Sequence, residues 1–168
     1  HHREQVLERR RITLGPDPMA FAGGPRVELK DYKDASPTGV PKALAQASLV
    51  ERGEYLAKAA DCMVCHTTQG GKEFAGGLGF KLPFGTLYST NITPDPETGI
   101  GKWSADNFYN MLHTGRSPDG GLVYPAMPFA EYTQVPRADS DAMVAYLKSV
   151  PPVHRPNTAT CPRVPLTN

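Results

Sequence analysis

Two cysteines three positions apart, Cys62 and Cys65, are followed directly by His66. Thiols one helical turn apart can each add to one of the two vinyl groups on the same porphyrin edge, and the adjacent imidazole can then offer a nitrogen to the iron. Cys62-Met63-Val64-Cys65-His66 therefore reads as the attachment site of one covalently held haem c, with His66 as its proximal ligand. Two other chemistries use paired cysteines. A structural zinc needs four ligands, and no second C-x-x-C or H-x-x-x-H follows. A thiol-exchange pair belongs to a strand–turn–helix inside a βαβ unit, whereas the residues ahead of Cys62 have helical periodicity.

A haem held in this way takes a second axial donor from a stiff, non-helical segment. Met127 lies between Pro125 and Pro128 and meets that description. His113, late in a predicted helix, is the alternative and would give bis-histidine ligation. Met111 and Met143 fall on apolar faces of predicted helices and read as core, Met63 is inside the attachment loop, and His154 lies past the last helix. Trp103 is the single tryptophan, and its indole N–H needs a partner if buried. A haem propionate would serve both it and Arg116, although an ordinary core tryptophan and a surface arginine fit the same residue types. Asp95 and Glu97 lack EF-hand spacing, so calcium is the weaker reading there and a proline-stiffened turn the stronger.

Helices must carry these groups. Ser48-Leu49-Val50-Glu51 fits a capping box, and Leu49, Gly53, Leu56, Ala57 and Ala60 recur at helical spacing, so a first helix is expected to run straight into Cys62. Ser104 opens a second helix bearing Ala105, Phe108, Met111 and Leu112 and stopping at Gly115. The third starts near Asp139-Ser140, places Met143, Tyr146, Leu147 and Val150 on one face, and stops before Pro151-Pro152. Gly53 on an apolar helical face implies a close crossing by another helix, with Tyr146 as the side chain to fill the gap. Between His66 and Tyr88, six glycines interleave with Phe74, Phe80, Leu82, Phe84 and Leu87; this reads as a loop wrapped on an apolar plate, with no phosphate-loop motif and no preceding strand.

The chain thus divides into an extended leader at 1–47, a helical domain at 48–152 and a proline-rich tail at 153–168. The leader's composition fits both a segment laid across a partner and a loosely ordered arm. Among 168 residues there are 16 glycines and 17 prolines, so long irregular segments are expected, and a haem supplies part of the core they need. The net charge of +1 shows no basic nucleic-acid footprint. No run of about eighteen apolar residues marks a transmembrane helix. Cys161 has no partner left once Cys62 and Cys65 hold haem, which leaves an intermolecular bridge, a free thiol or an incidental tail residue.

Beyond these single features, the segments Arg52-Gly53-Glu54-Tyr55-Leu56, FAGG at 74–77, FGTLYSTNITPDPETGIGKW at 84–103 and DGGLVYPAMPF at 119–129 stand together with the C-x-x-C-H. In them, residues from about 50 to 157 resemble a haem domain of the cytochrome c subunits of membrane-associated bacterial dehydrogenases, of the alcohol, gluconate, aldehyde and molybdenum-hydroxylase kinds. The resemblance implies an all-α class I cytochrome c fold, three main helices and long loops around one haem c. It implies thioethers at Cys62 and Cys65, His66 proximal, Met127 distal, and a carbonyl near Pro83 accepting a hydrogen bond from the His66 ring. Such subunits commonly carry three haem domains in series; this sequence carries one C-x-x-C-H.

The expected function is electron transfer. A His/Met-ligated mono-haem cytochrome has no open iron position for substrate, so it would not itself be an enzyme. It would relay electrons from a partner dehydrogenase subunit to a membrane or soluble respiratory acceptor. Haem attachment to this motif follows export in bacteria, which places the protein in the periplasm or on the outer face of the cytoplasmic membrane. The alternatives are a haem enzyme or gas sensor with a labile distal ligand, and a purely structural haem subunit.

Overall fold

The computed structural model describes residues 37–83, 85–121, 123, 127, 129–159 and 161–162. They fall into two compact units, 37–109 with 135–162, and 110–134. Of the expected leader, residues 1–36 lie outside the described residues, as do Phe84 and the prolines on either side of Met127.

Helix α1, Leu49–Ala59, starts as its residues dictate. The Glu51 N–H donates to Ser48 Oγ at 3.2 Å, and the Ser48 N–H donates back to Glu51 Oε2 at 2.9 Å. The helix does not run into Cys62. Ala60 caps it, Asp61 adopts a left-handed conformation at φ +56°, and α2, Cys62–Cys65, is a separate single turn. A left-handed residue cannot continue the ladder, and the short polar side chain of aspartate tolerates that conformation better than most.

The glycine-rich stretch is more ordered than its composition implies. Strands β1, Gly79–Leu82, and β2, Gly85–Tyr88, form an antiparallel hairpin, and β3, Cys161–Pro162, pairs with β2 through Gly85 and Thr86. The fold stays mostly helical, with this small sheet added. The alternation in β1 is only four residues long, with Phe80 and Leu82 turned inward and Gly79 and Lys81 outward. So short a pattern does not stand out among glycines.

Helix α3, Ala105–Thr114, opens with a reciprocal pair in which the Asn107 N–H donates to Ser104 Oγ and the Ser104 N–H to Asn107 Oδ1, both at 3.0 Å. A single turn, α4, covers Phe129–Tyr132. Helix α5, Arg137–Ser149, begins two positions ahead of the expected start and ends where Val150, ahead of Pro151, turns extended. In the larger unit, Leu56 and Ala57 of α1 and Ala142, Met143, Val144 and Leu147 of α5 are buried.

The crossing of α1 and α5 is the one expected from Gly53. Tyr146 Cβ lies 2.9 Å from where a Cβ on Gly53 would stand. The Tyr146 ring then meets buried Phe74 edge-on at 5.9 Å. Arg137 ties the start of α5 to that of α3 through an ion pair to Asp106 at 2.6 Å and a guanidinium over Tyr109, and is steadied within α5 by Asp141 at 2.8 Å. Buried Asp139 accepts from Thr38 Oγ1 at 2.5 Å and from the Gly39 N–H at 2.6 Å, so residues 38 and 39 are fastened to α5.

Beyond α5 the proline-rich segment is woven into the loop after β2. Buried Asn91 donates through Nδ2 to the Val153 carbonyl at 2.8 Å and to Thr98 Oγ1 at 3.1 Å. The Val153 N–H donates to Thr93 Oγ1, and the Arg155 N–H to Thr98 Oγ1. Among the described residues, no helix is long and apolar enough to cross a membrane.

Candidate haem site

Asp61 and α2 set the stage. The left-handed residue ends α1, and the single turn that follows carries Cys62 and Cys65, both free thiols and both half-buried. Between them Val64 is 64% exposed. His66 caps this turn, its N–H donating to the Cys62 carbonyl at 2.9 Å. Its own carbonyl accepts from the Gly76 N–H at 2.7 Å.

The ring of His66 is fixed by one hydrogen bond. Nδ1 donates to the Thr90 carbonyl oxygen at 2.7 Å. A carbonyl can only accept, so the proton sits on Nδ1 and the lone pair on Nε2. Nε2 makes no hydrogen bond to the described residues. Burial pushes the His66 pKa down, against a smaller upward pull from the Thr90 carbonyl, and so favours the neutral ring that a ligand must be.

Burial also pushes the Cys62 thiol up to about 11. A thiol-exchange cysteine needs the opposite shift. Among the described residues no three His, Cys, Asp or Glu side chains converge on a point where a metal ion would sit. Two thiols on one turn, followed by an imidazole whose free nitrogen is defined by the bond at the other, fit a covalently held haem.

The expected carbonyl at Pro83 is corrected. Pro83 is exposed in the turn joining β1 to β2, and Thr90 supplies the acceptor instead. The hairpin explains the change: it carries Pro83 to its tip and returns the chain along β2 to Thr90. Gly76 admits the Thr90 carbonyl, since a Cβ on Gly76 would lie 2.5 Å from that oxygen. A backbone acceptor has no residue-type signature, and the only hint in the sequence was the glycine pair at 76–77.

Trp103 is half-buried, and its indole N–H makes no hydrogen bond to the described residues. Its backbone is fixed at both ends, the N–H donating to the Ile100 carbonyl and the carbonyl accepting from Lys148 Nζ. In the unit 110–134, Met127 is half-buried and Arg116 exposed, while His113 is fully buried on α3. The turn expected at Asp119 is present, with Asp119 Oδ1 accepting from the Gly121 N–H and from Ser117 Oγ. Met111 and Met143 are buried, as their helical positions imply. Asp95 is committed to its turn, accepting from the Thr98 N–H at 2.7 Å, Thr98 Oγ1 at 2.7 Å and the Glu97 N–H at 3.2 Å. Cys161 stands in β3 opposite Thr86.

Comparison with known proteins gives the family. The family model for cytochrome c matches residues 50–151. The chain is 51% identical over 119 residues to a subunit of the nicotinate dehydrogenase of Pseudomonas putida, covering 71% of this chain and 10% of that protein. It is 49% identical over 114 residues to the gluconate 2-dehydrogenase cytochrome c subunit of Pantoea cypripedii, covering 67% of this chain and 26% of that one. It is 47% identical over 116 residues to the cytochrome c subunit of the quinone alcohol dehydrogenase of Gluconobacter oxydans, covering 68% and 24%. The chain thus spans only 10%, 26% and 24% of the length of these three relatives in turn.

Proposed function

Because the chain belongs to the cytochrome c family, we propose that residues 48–152 are a mono-haem electron-transfer domain with His66 and Met127 as axial ligands. Cys62 and Cys65 hold the porphyrin edge through thioethers. His66 presents Nε2, oriented by the Thr90 carbonyl at Nδ1. Met127 would supply the second axial thioether, and Trp103 and Arg116 would donate to the propionates. Haem c, once bound, supplies an iron that accepts and releases one electron. With both axial positions filled by the chain, no position remains for a substrate, so this is a carrier and not the catalytic subunit. Methionine in place of a second histidine raises the reduction potential.

The donor is a dehydrogenase subunit, by analogy with the named relatives, and the electron leaves to a membrane-bound or soluble respiratory acceptor. Haem attachment to C-x-x-C-H follows export in bacteria, so the chain works in the periplasm or on the outer face of the cytoplasmic membrane. Exposed Val64, inside the attachment turn, marks the face at which electrons pass. The observation that carries this reading is His66: an imidazole directly after two thiols on one turn, its Nδ1 occupied and its Nε2 available.

Optical spectra of the haem-loaded protein test it. The ferric parent should show the weak far-red band of methionine ligation, Met127→Ala should lose it, and carbon monoxide should leave the ferrous parent unchanged. Ready binding of carbon monoxide by the parent would make this a haem enzyme or gas sensor. A Met127→Ala spectrum identical to the parent's would move the distal ligand elsewhere, with His113→Ala as the next variant.

A further inference from the structure

The peptide unit joining Thr90 to Asn91 is hydrogen-bonded at both ends. Its carbonyl accepts from His66 Nδ1 at 2.7 Å, and its N–H donates to Asn157 Oδ1, also at 2.7 Å. We infer that Asn157 is a positioning residue for the haem's histidine, acting through the Thr90–Asn91 peptide to lower the reduction potential of the iron. This rests on His66 being the proximal ligand.

The carbonyl and N–H of one peptide share a conjugated system. An acceptor on the N–H pushes electron density toward the carbonyl oxygen, and hydrogen bonds in series strengthen one another by roughly 10–30%. The Thr90 carbonyl is then the better acceptor for Nδ1–H, and Nε2 becomes the more basic donor to the iron. More basic nitrogen favours Fe(III) over Fe(II).

The peptide has little freedom to escape this role. On one side the Gly76 N–H holds the His66 carbonyl, and the Gly76 backbone lies against the Thr90 carbonyl. On the other the Asn91 side chain is buried and bound to Val153 and Thr98. Asn157 is itself delivered by a fastened strap. The Val153 and Arg155 N–H groups donate to Thr93 and Thr98, and Arg155 Nη1 donates to the Ala75 carbonyl. The proline-rich segment after α5 therefore has a redox role as well as a packing one. Because Asn157 is exposed, its amide can be removed without opening the core.

Redox titration of the haem-loaded protein tests this with three variants. In Asn157→Ala the ratio of Fe(II) to Fe(III) at a fixed ambient potential should rise about twofold, the scale set by losing one bond from a short cooperative chain. Asn157→Asp should shift the ratio the other way, and by more than Thr158→Asp, which adds the same charge next door without the bond. The His66 Nδ1 proton of the ferrous protein should move upfield in Asn157→Ala, with haem content unchanged. An Asn157→Ala protein that titrates with the parent, or equal shifts in the two aspartate variants, overturns the inference. So does a loss of thermal stability with no change in potential, which marks a structural role only. If His66→Ala keeps the parent's spectrum, His66 is not the ligand and both this inference and the proposed function fall; if that variant loses the spectrum while Asn157→Ala is silent, only this inference falls.

Discussion

The carbonyl oxygen of Ala142 on α5 lies 1.8 Å from the point that a Cβ on Gly53 of α1 would occupy. The obstacle is backbone, so no rotamer change relieves it, and the two helices meet as closely as they do only because position 53 has no side chain. Helix propensity alone would have Gly53→Ala stabilise α1 by about 1 kcal/mol. The crossing reverses that sign, and a net loss of about 2–3 kcal/mol is expected from forced separation of the helices. Denaturant unfolding of the haem-loaded variant measures it, and a neutral or raised midpoint would mean that α1 and α5 do not cross here.

Asp139 should matter for a different reason. Its two carboxylate oxygens take one donor each, Thr38 Oγ1 and the Gly39 N–H, at a buried position near the start of α5. Asp139→Ala hands both donors, which are exposed, to water and is expected to cost about 0.5–1.5 kcal/mol. Hydrogen exchange at the Gly39 amide should speed up well before α1 and α5 are affected. Exchange at Gly39 as slow as in the parent would show that residues 38 and 39 are held by something else.

These two relationships differ in how far the sequence announced them. The crossing was legible, because a glycine on an apolar helical face asks for a close neighbour and Tyr146 lay on the facing stripe. The Ser48–Glu51 capping box was legible for the same kind of reason, a side-chain pair at fixed spacing. The fastening of residues 38 and 39 was not, because Thr38 and Asp139 are far apart in the chain and neither sits in a motif. The break at Asp61 was missed because a single left-handed residue leaves the helical spacing on either side intact. The Thr90 carbonyl was missed because it is backbone, and the strap at 153–157 because its bonds run through backbone atoms and one asparagine, with no periodicity to betray them. In the site, side-chain chemistry could be read and the backbone partners that orient it could not.

Acid stability should depend on Asp95. The Thr98 hydroxyl and N–H, then the Glu97 N–H and nearby His154, hold its carboxyl below the usual aspartate range. A folded value below the unfolded one means the contribution is complete above the unfolded aspartate value, about 3.9, and is lost as pH falls through the lowered folded value. Urea midpoints of the haem-loaded parent should therefore fall more steeply in acid than those of Asp95→Asn, and the two should run parallel near neutrality. Parallel curves down to the most acidic pH would remove Asp95 from the acid response.

Gly76 and Gly70 give a matched pair that separates backbone strain from steric exclusion. Both have a left-handed φ, +72° and +70°. A Cβ on Gly70 would meet nothing within 4 Å, whereas one on Gly76 would lie 2.5 Å from the Thr90 oxygen. Alanine at either position pays the left-handed penalty of roughly 1–2 kcal/mol. Only at 76 must the Thr90 carbonyl also retreat, and with it the bond that orients His66. Gly70→Ala should lose modest stability and keep the parent's spectrum and potential. Gly76→Ala should lose more stability and also raise the potential, because a carbonyl moved off Nδ1 leaves Nε2 less basic. Equal behaviour of the two variants by denaturation and redox titration would show that the Thr90 carbonyl is placed by other contacts, with Asn91 and its bonds to Val153 and Thr98 the next to be altered.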